Sequence, residues 1–333
     1  MTTDLAPAPP VAGCWFLTGP TAAGKTRVGL ELALRIGAEI VSLDSMTVYQ
    51  GLDIGTAKPS ADDRSRVPHH LLDLVPPTDE FSLSEYIDAA HVTIAEIRGR
   101  NREVLFVGGT PLYLKSLLRG VYQGPPADWD FRRQIEEELT SLPVEALHQR
   151  LQVIDPLLAA KLHPNDKRRI IRGLEVFKLT GQRLSHLQTQ FDEAQPAGAT
   201  KVFVLSWPRD ALHQRIDERV EQMFAAGLVE EVRDLLAKHG TLSKTAMQAV
   251  GYREVIELVG CMSEAKCTTP RDPALAACIE RVKIRTHQFA RRQETWFRSL
   301  SECRFVEMSE GERPESAGKR IAALANDATS PHM

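Results

Sequence analysis

The sequence predicts an α/β fold, a parallel sheet covered by helices and interrupted by a helical insertion. Three observations carry that prediction. Short runs rich in Val, Ile, Leu and Phe occur at 14–18 (CWFLT), 39–43 (EIVSL), 103–107 (EVLFV) and 201–206 (KVFVLS). Helix-like stretches follow or precede most of them, at 25–36, 84–98 and 210–238, and alternation of this kind argues for parallel strands joined by crossover helices. The stretch from about 126 to 199, entered through GPPADWD and left through DEAQPAGAT, holds several helical segments and no convincing strand.

The first run leads into Gly19-Pro20-Thr21-Ala22-Ala23-Gly24-Lys25-Thr26. This is a full match to G-x-x-x-x-G-K-[ST], a string expected by chance in on the order of one chain in a hundred of this length. With an apolar strand before it and an amphipathic segment after it, the loop turns successive backbone N–H groups toward an anion at a helix N-terminus. Lys25 is expected along the phosphate oxygens and the Thr26 hydroxyl on a bound Mg²⁺. The fold expectation is therefore a P-loop NTPase-like core over 11–125 and 200–310, an inserted helical domain over 126–199, and loose tails at 1–10 and 311–333.

The second run ends at Asp44, on the sheet edge where open α/β sheets bind ligands. Position alone equally fits a turn or cap residue. The third run ends in Gly108-Gly109-Thr110, where a nucleotide hydrolase usually places an acid for its magnesium shell. That absence argues against routine NTP hydrolysis.

Composition narrows the setting. Lys and Arg total 41 against 44 Asp and Glu, a net charge of −3, yet basic residues cluster. KLHPNDKRRIIR at 161–172 and RVKIRTHQFARRQETWFR at 281–298 each contain a single acid. Such clusters fit a polyanion surface and equally a solvated helix face. No segment approaches the roughly 18–20 apolar residues of a membrane span, and the first ten residues lack a secretory pattern, so the cytoplasm is expected. Five cysteines without a C-x-x-C pair predict reduced thiols rather than disulfides or a thiolate metal site.

The strings GPTAAGKT, LDSMTVYQGLDIGTAKP, PHHLLDLV, FVGGTPLYLKSLL, HPNDKRRIIRGLEV, AVGYRE and ARRQETWFR, in that order over about residues 14–298, resemble the motifs of the bacterial tRNA dimethylallyltransferase (tRNA isopentenyltransferase) family. The resemblance implies transfer of a dimethylallyl group from dimethylallyl diphosphate to N6 of the adenosine 3′ of the anticodon. The glycine loop then holds a prenyl diphosphate rather than ATP, with Mg²⁺ as cofactor and the tRNA anticodon stem-loop as partner. A monomer is expected. There is no C-x₂₋₄-C…H-x₃₋₅-H spacing for the zinc finger that eukaryotic members often add. Many members have Ser where Ala23 stands, so backbone amides must suffice there.

Under this resemblance Asp44 suits a general base that orients and deprotonates a poorly nucleophilic exocyclic amine. Lys25, Thr26 and Arg219 suit stabilisation of the leaving diphosphate. Arg219 also reads as a surface arginine beside Asp217 or Glu218. The resemblance assigns tRNA contacts to Asp44, Ser45, Met46, Thr47, Thr110, Arg132, Arg168, Arg169 and Arg172. It extends them to Gln248, Gly251, Tyr252, Arg253, Arg291, Arg292, Gln293, Trp296 and Arg298. Thr110 also fits a helix cap, and Tyr252 and Trp296 fit core residues with a polar tip. An ATP-dependent small-molecule kinase with the same loop explains the loop and Asp44 but not the basic-aromatic run at 281–298. An RNA-binding GTPase-like module wants an N-K-x-D string, which is absent.

Overall fold

In the computed structural model the described residues are 8–122, 124–140, 143–188, 200–260 and 273–327. They divide into two compact units, one holding 11–115 and 200–327, the other 8–10 and 116–188. The expected boundary near 126 thus falls about ten residues earlier. The 192–199 exit and the 260–273 stretch, apart from residues 260 and 273 themselves, lie outside the described residues, as do Cys261 and Cys267. The other three cysteines are free and buried.

The larger unit is a six-stranded, all-parallel sheet: β1 (Trp15–Thr18), β2 (Ala38–Ser42), β3 (His69–His70), β4 (Glu103–Val107), β5 (Lys201–Ser206) and β6 (Arg304–Glu307), ordered β3-β2-β4-β1-β5-β6. Strands β1, β2 and the centre of β4 and β5 are buried, which is why they read as continuous apolar runs rather than alternating ones. The chain reverses direction of travel between β1 and the outer strands β2 and β3 on one side and β5 and β6 on the other. Loops leaving β1, β4 and β2 therefore converge at the carboxyl edge of the sheet.

The helices are α1 (Lys25–Ile36), α2 (Ala61–Arg66), α3 (Leu83–Gly99), α4 (Pro111–Arg119), α5 (Trp129–Glu138), α6 (Val144–Ile154), α7 (Pro156–Lys161), α8 (Lys167–Thr180), α9 (Leu184–Leu187), α10 (Arg209–Ala225), α11 (Leu228–His239), α12 (Tyr252–Gly260), α13 (Pro273–Arg298) and α14 (Pro314–Asp327). The chain leaves the sheet unit within α4. One apolar core lies between the sheet and α1 and α14, built on Leu17, Leu32, Leu105, Phe203 and Ile321. A second gathers α10 to α13 around Ile216, Val232, Tyr252 and Val282. The smaller unit has its own core of Ile135, Leu147, Leu151, Ile170 and Leu174 from α5, α6 and α8. No described helix is long and apolar enough to cross a membrane.

Three features depart from the sequence expectation. The helical stretch 210–238 is two helices, broken at Gly227, which takes a left-handed conformation before α11. Neither edge strand of the sheet is part of that expectation: β3 has only two residues, too few to show a period, and β6 is a four-residue RFVE with two exposed positions. The expected loose tail contains α14, whose Ala317, Ile321 and Ala325 are buried against α1. Its buried residues are spaced four apart and two of the three are alanines, so they give weak contrast. A Cβ on Gly318 would lie 3.2 Å from the Leu32 amide nitrogen, so a glycine there lets the two helices approach closely.

Candidate active site

The glycine loop joins β1 to α1, and Gly24, with φ at +90°, opens α1 with no side-chain cap. The first N–H groups of α1 are therefore left for a ligand. The loop carbonyls, by contrast, have protein partners. Lys25 Nζ donates to Gly19 O at 3.0 Å and to Pro20 O at 2.7 Å. Arg215 Nε donates to Ala22 O at 2.9 Å, and Trp207 Nε1 to Ala23 O at 3.0 Å. Among the loop amides the Thr21 N–H goes to Gln293 Oε1 at 2.9 Å and the Ala23 N–H to Pro20 O at 3.3 Å, so it is the first amides of α1 that are left for a polyanion. Ala23 is buried and contributes backbone alone.

Asp44 follows β2. Its Oδ1 accepts from the Met46 N–H at 2.8 Å, an Asx turn that fixes the carboxylate. Burial raises its pKa above the usual carboxylate value, against the opposing charges of Lys25 and Arg219. Lys25 is lowered to about 7, first by burial and then by Arg219, with Asp44 opposing. Arg219 is pulled down by burial and held up by Asp44. These three groups, from α1, the β2 edge and α10, thus form one electrostatic unit. Arg219 is not the surface arginine its neighbours allowed: Asp217 pairs with His287 at 2.8 Å, and Glu218 accepts from Gln214.

Thr110 lies beside Asp44, but its hydroxyl faces inward. Thr110 Oγ1 accepts from the Ser45 N–H at 3.1 Å, and Thr110 N–H donates to Leu43 O at 3.1 Å. It ties the β4 loop to the Asp44 loop rather than simply capping α4. Ser45 and Met46 are half-buried at the same edge. Thr47 is buried and shares a 2.8 Å hydrogen bond with Ser42, so its side chain is no RNA-facing group.

The residues expected on the RNA surface of α12 and α13 divide sharply. Gln248, Arg253, Arg291, Arg292 and Arg298 are exposed and Trp296 is half-buried. Gly251, Tyr252 and Gln293 are buried, which corrects the expectation for them. The Tyr252 hydroxyl donates to Glu231 Oε1 at 2.5 Å and accepts from the Gly55 N–H at 3.1 Å, so it pins the 52–58 loop from inside the core. Gln293 falls on the inward stripe of α13 with Cys278, Val282, Thr286, Ala290 and Phe297.

In the smaller unit Arg168 and Arg169 are exposed on the first turn of α8. Arg132 and Arg172 are instead held by Glu175, whose side chain is fully buried, at 2.8 and 2.6 Å. Two guanidinium groups share that one carboxylate, which fixes their direction and leaves a net positive charge.

Sequence reading missed Trp207 and Arg215, although the i, i+4 spacing of Arg215 and Arg219 on α10 placed both on one face. It also missed Tyr86 and Tyr113, whose rings stack 3.9 Å apart, with the Tyr86 hydroxyl donating to Ser42 O at 2.8 Å. Burial, with the charge of Asp44 added, raises the Tyr113 phenol above its usual range.

The sequence and the fold have known relatives. The model of the IPP transferase family matches residues 47–300. The chain belongs to the IPP transferase family. Among its relatives, the tRNA dimethylallyltransferase of Rhodopirellula baltica is 51% identical over 296 residues, 86% of either chain. That of Geobacter metallireducens is 44% identical over 88% of this chain and 91% of its own. The crystal structure of tRNA isopentenylpyrophosphate transferase from Bacillus halodurans superposes with a TM-score of 0.64 at 34% identity, covering 96% of this chain and 98% of that one. A eukaryotic dimethylallyltransferase acting on tRNA gives 0.74 at 26% identity, covering 94% and 78%. The fold of this chain is therefore that of the two transferases, one of them acting on tRNA.

Proposed function

We propose that this protein transfers a dimethylallyl group from dimethylallyl diphosphate to N6 of adenosine 37, 3′-adjacent to the anticodon, releasing diphosphate. The observation that carries the reading is the convergence of the half-buried Asp44, Lys25 and Arg219 at one sheet edge, where desolvation raises the Asp44 pKa and lowers those of the two cations. A carboxylate with a raised pKa serves as base for the amine, and two cations beside it serve a leaving diphosphate. Asp44 accepts a proton from N6 as the amine attacks the allylic carbon. The C–O bond to diphosphate breaks, and the negative charge passes to the first amides of α1, Lys25 and Arg219.

Thr26 is exposed at the start of α1, and no cluster of three or more His, Cys, Asp or Glu among the described residues is arranged for a metal. Hard oxygen donors of this kind fit Mg²⁺ held by the Thr26 hydroxyl together with diphosphate oxygens and water. When bound, the ion neutralises charge on the leaving group. The base inside a stacked anticodon loop must swing out to reach Asp44. The exposed Arg291, Arg292 and Arg298 supply phosphate contacts, as do Arg168 and Arg169 in the smaller unit. The three site residues on one chain support a monomer, and a tRNA substrate supports a cytoplasmic setting.

The test is incubation with labelled dimethylallyl diphosphate, and separately with γ-labelled ATP, each with bulk tRNA lacking the modification. Label passing from the prenyl donor to tRNA is expected, with negligible ATP turnover. Phosphoryl transfer to any acceptor without prenyl transfer would overturn the assignment.

A further inference from the structure

The reacting groups sit on two loops that no backbone hydrogen bond among the described residues joins directly. Lys25 opens α1 directly after the β1 loop and donates to that loop at Gly19 and Pro20, while Asp44 is tied through Ser45 and Thr110 to the loop after β4. At the strand ends β1 and β4 are held by the Gly108 N–H on Leu17 O at 3.2 Å and by Thr18 Oγ1 on Gly108 O at 2.8 Å; beyond the strand ends the gap is spanned by a side chain from α13. Gln293 is only 4% exposed. Its Oε1 accepts from the Thr21 N–H at 2.9 Å and its Nε2 donates to Gly109 O at 2.6 Å. Thr286, the other buried polar group of that stripe, spends its hydroxyl on its own helix, at Val282 O.

We propose that Gln293 is a positioning residue that sets the distance between the diphosphate loop and the Asp44 loop, and so between leaving group and base. The proposal rests on the transfer reaction above. A continuous series of contacts supports it: Thr21, Gln293, Gly109, Thr110, Ser45, Asp44. The requirement is chemical as well as steric, because one end of the side chain must accept and the other must donate. An amide does both; a carboxylate of the same shape has no proton for the Gly109 carbonyl. The space is also tight. A Cβ on Gly109 would lie 2.7 Å from Gln293 Nε2, 3.3 Å from Gly19 O and 3.4 Å from Lys25 Nζ, so the glutamine, the loop and the lysine pack on one spot. A displacement of about 1 Å between reacting groups is enough to cost about 10²-fold in rate.

The test is a cycle of single-turnover rates at saturating donor and tRNA for wild type, Gln293→Leu, Asp44→Asn and the double variant, with Gln293→Glu alongside. Gln293→Leu is expected to slow transfer roughly 10- to 100-fold, with affinities for tRNA and for inorganic diphosphate within about threefold of wild type. Gln293→Glu, despite its shape, is expected to be no better. In the Asp44→Asn background the same leucine substitution should cost less than about threefold, since there is no base left to position. Equal losses in both backgrounds, or near-wild-type rates for the leucine variant, would overturn the proposal. Hydrogen exchange of peptides covering 17–22 and 107–112 in the substrate-free protein tests the tie without any turnover. Faster exchange in both is expected for either variant, and unchanged exchange refutes the tie. A wild-type enzyme that transfers nothing refutes the reaction instead.

Discussion

At the level of single residues the site is a problem of matched charges. Lys25 has an ordinary ammonium value of 10.5 and is lowered to about 7, first by burial and then by Arg219, so an arriving anion favours its charged form. Asp44 moves the other way, above its ordinary 3.8. The signs fix the pH profile. The rate at low donor concentration rises with pH as Asp44 ionises through its raised pKa, and falls again near 7 as Lys25 loses its proton in the free enzyme. Lys25→Arg keeps its charge throughout, so in that variant the alkaline limb of kcat/KM should vanish relative to wild type while the acid limb stays. An alkaline limb unmoved by the arginine would assign it to another group. Asp44→Ala separates chemistry from recognition: single-turnover transfer should fall roughly 10²- to 10⁴-fold with tRNA affinity nearly intact. Near-normal transfer, or a loss only through tRNA affinity, would make Asp44 a recognition residue. Lys25→Ala should weaken inorganic diphosphate binding as well, because its charge acts before and during bond breaking.

The elements show which parts of a fold a sequence can display. Strands β1, β2, β4 and β5 were legible because each is buried in a parallel sheet and reads as an unbroken apolar run. The glycine loop was legible because its backbone path needs specific residues at fixed spacing. Helix α14 was not, since a single isoleucine between two buried alanines, spaced four apart, looks like a polar tail until α1 is placed against it. Gln293 was misread as an RNA contact for a related reason: a glutamine among arginines looks exposed, and only the phase of the long helix α13 turns it inward. Trp207 and Arg215 escaped because their task is to hold loop carbonyls, a role with no sequence pattern of its own. Helix α14 offers a direct check on that reading. Ile321 is fully buried, so Ile321→Ala should cost about 2–5 kcal/mol in urea unfolding of the sheet unit. A loss under about 0.5 kcal/mol would mean that the tail is dispensable.

For the whole molecule, the slightly acidic net charge hides two separate basic surfaces, one on α13 of the sheet unit and one at the start of α8 in the smaller unit. They differ in construction. Arg132 and Arg172 are clamped on the buried Glu175, so removing either also strands a carboxylate in the interior and confuses binding with stability. Arg168 and Arg169 stand exposed on the first turn of α8, with Arg169 only 3.6 Å from the half-exposed Asp166, and their loss leaves the α5–α6–α8 core untouched. They are therefore the pair that reads RNA contact cleanly. Each phosphate neutralised releases about 0.7–0.9 of a counterion, so the double variant Arg168→Ala, Arg169→Ala should reduce the slope of log affinity for tRNA against log salt by roughly 1.4 to 1.8. Affinity should drop most at low salt and converge with wild type as salt rises, because the lost contribution is the screened one. The single-turnover rate at saturating tRNA should hardly change, since neither arginine belongs to the Asp44–Lys25–Arg219 group. An unaltered slope would take the start of α8 out of the RNA surface and leave the arginines of α13 to account for the salt dependence.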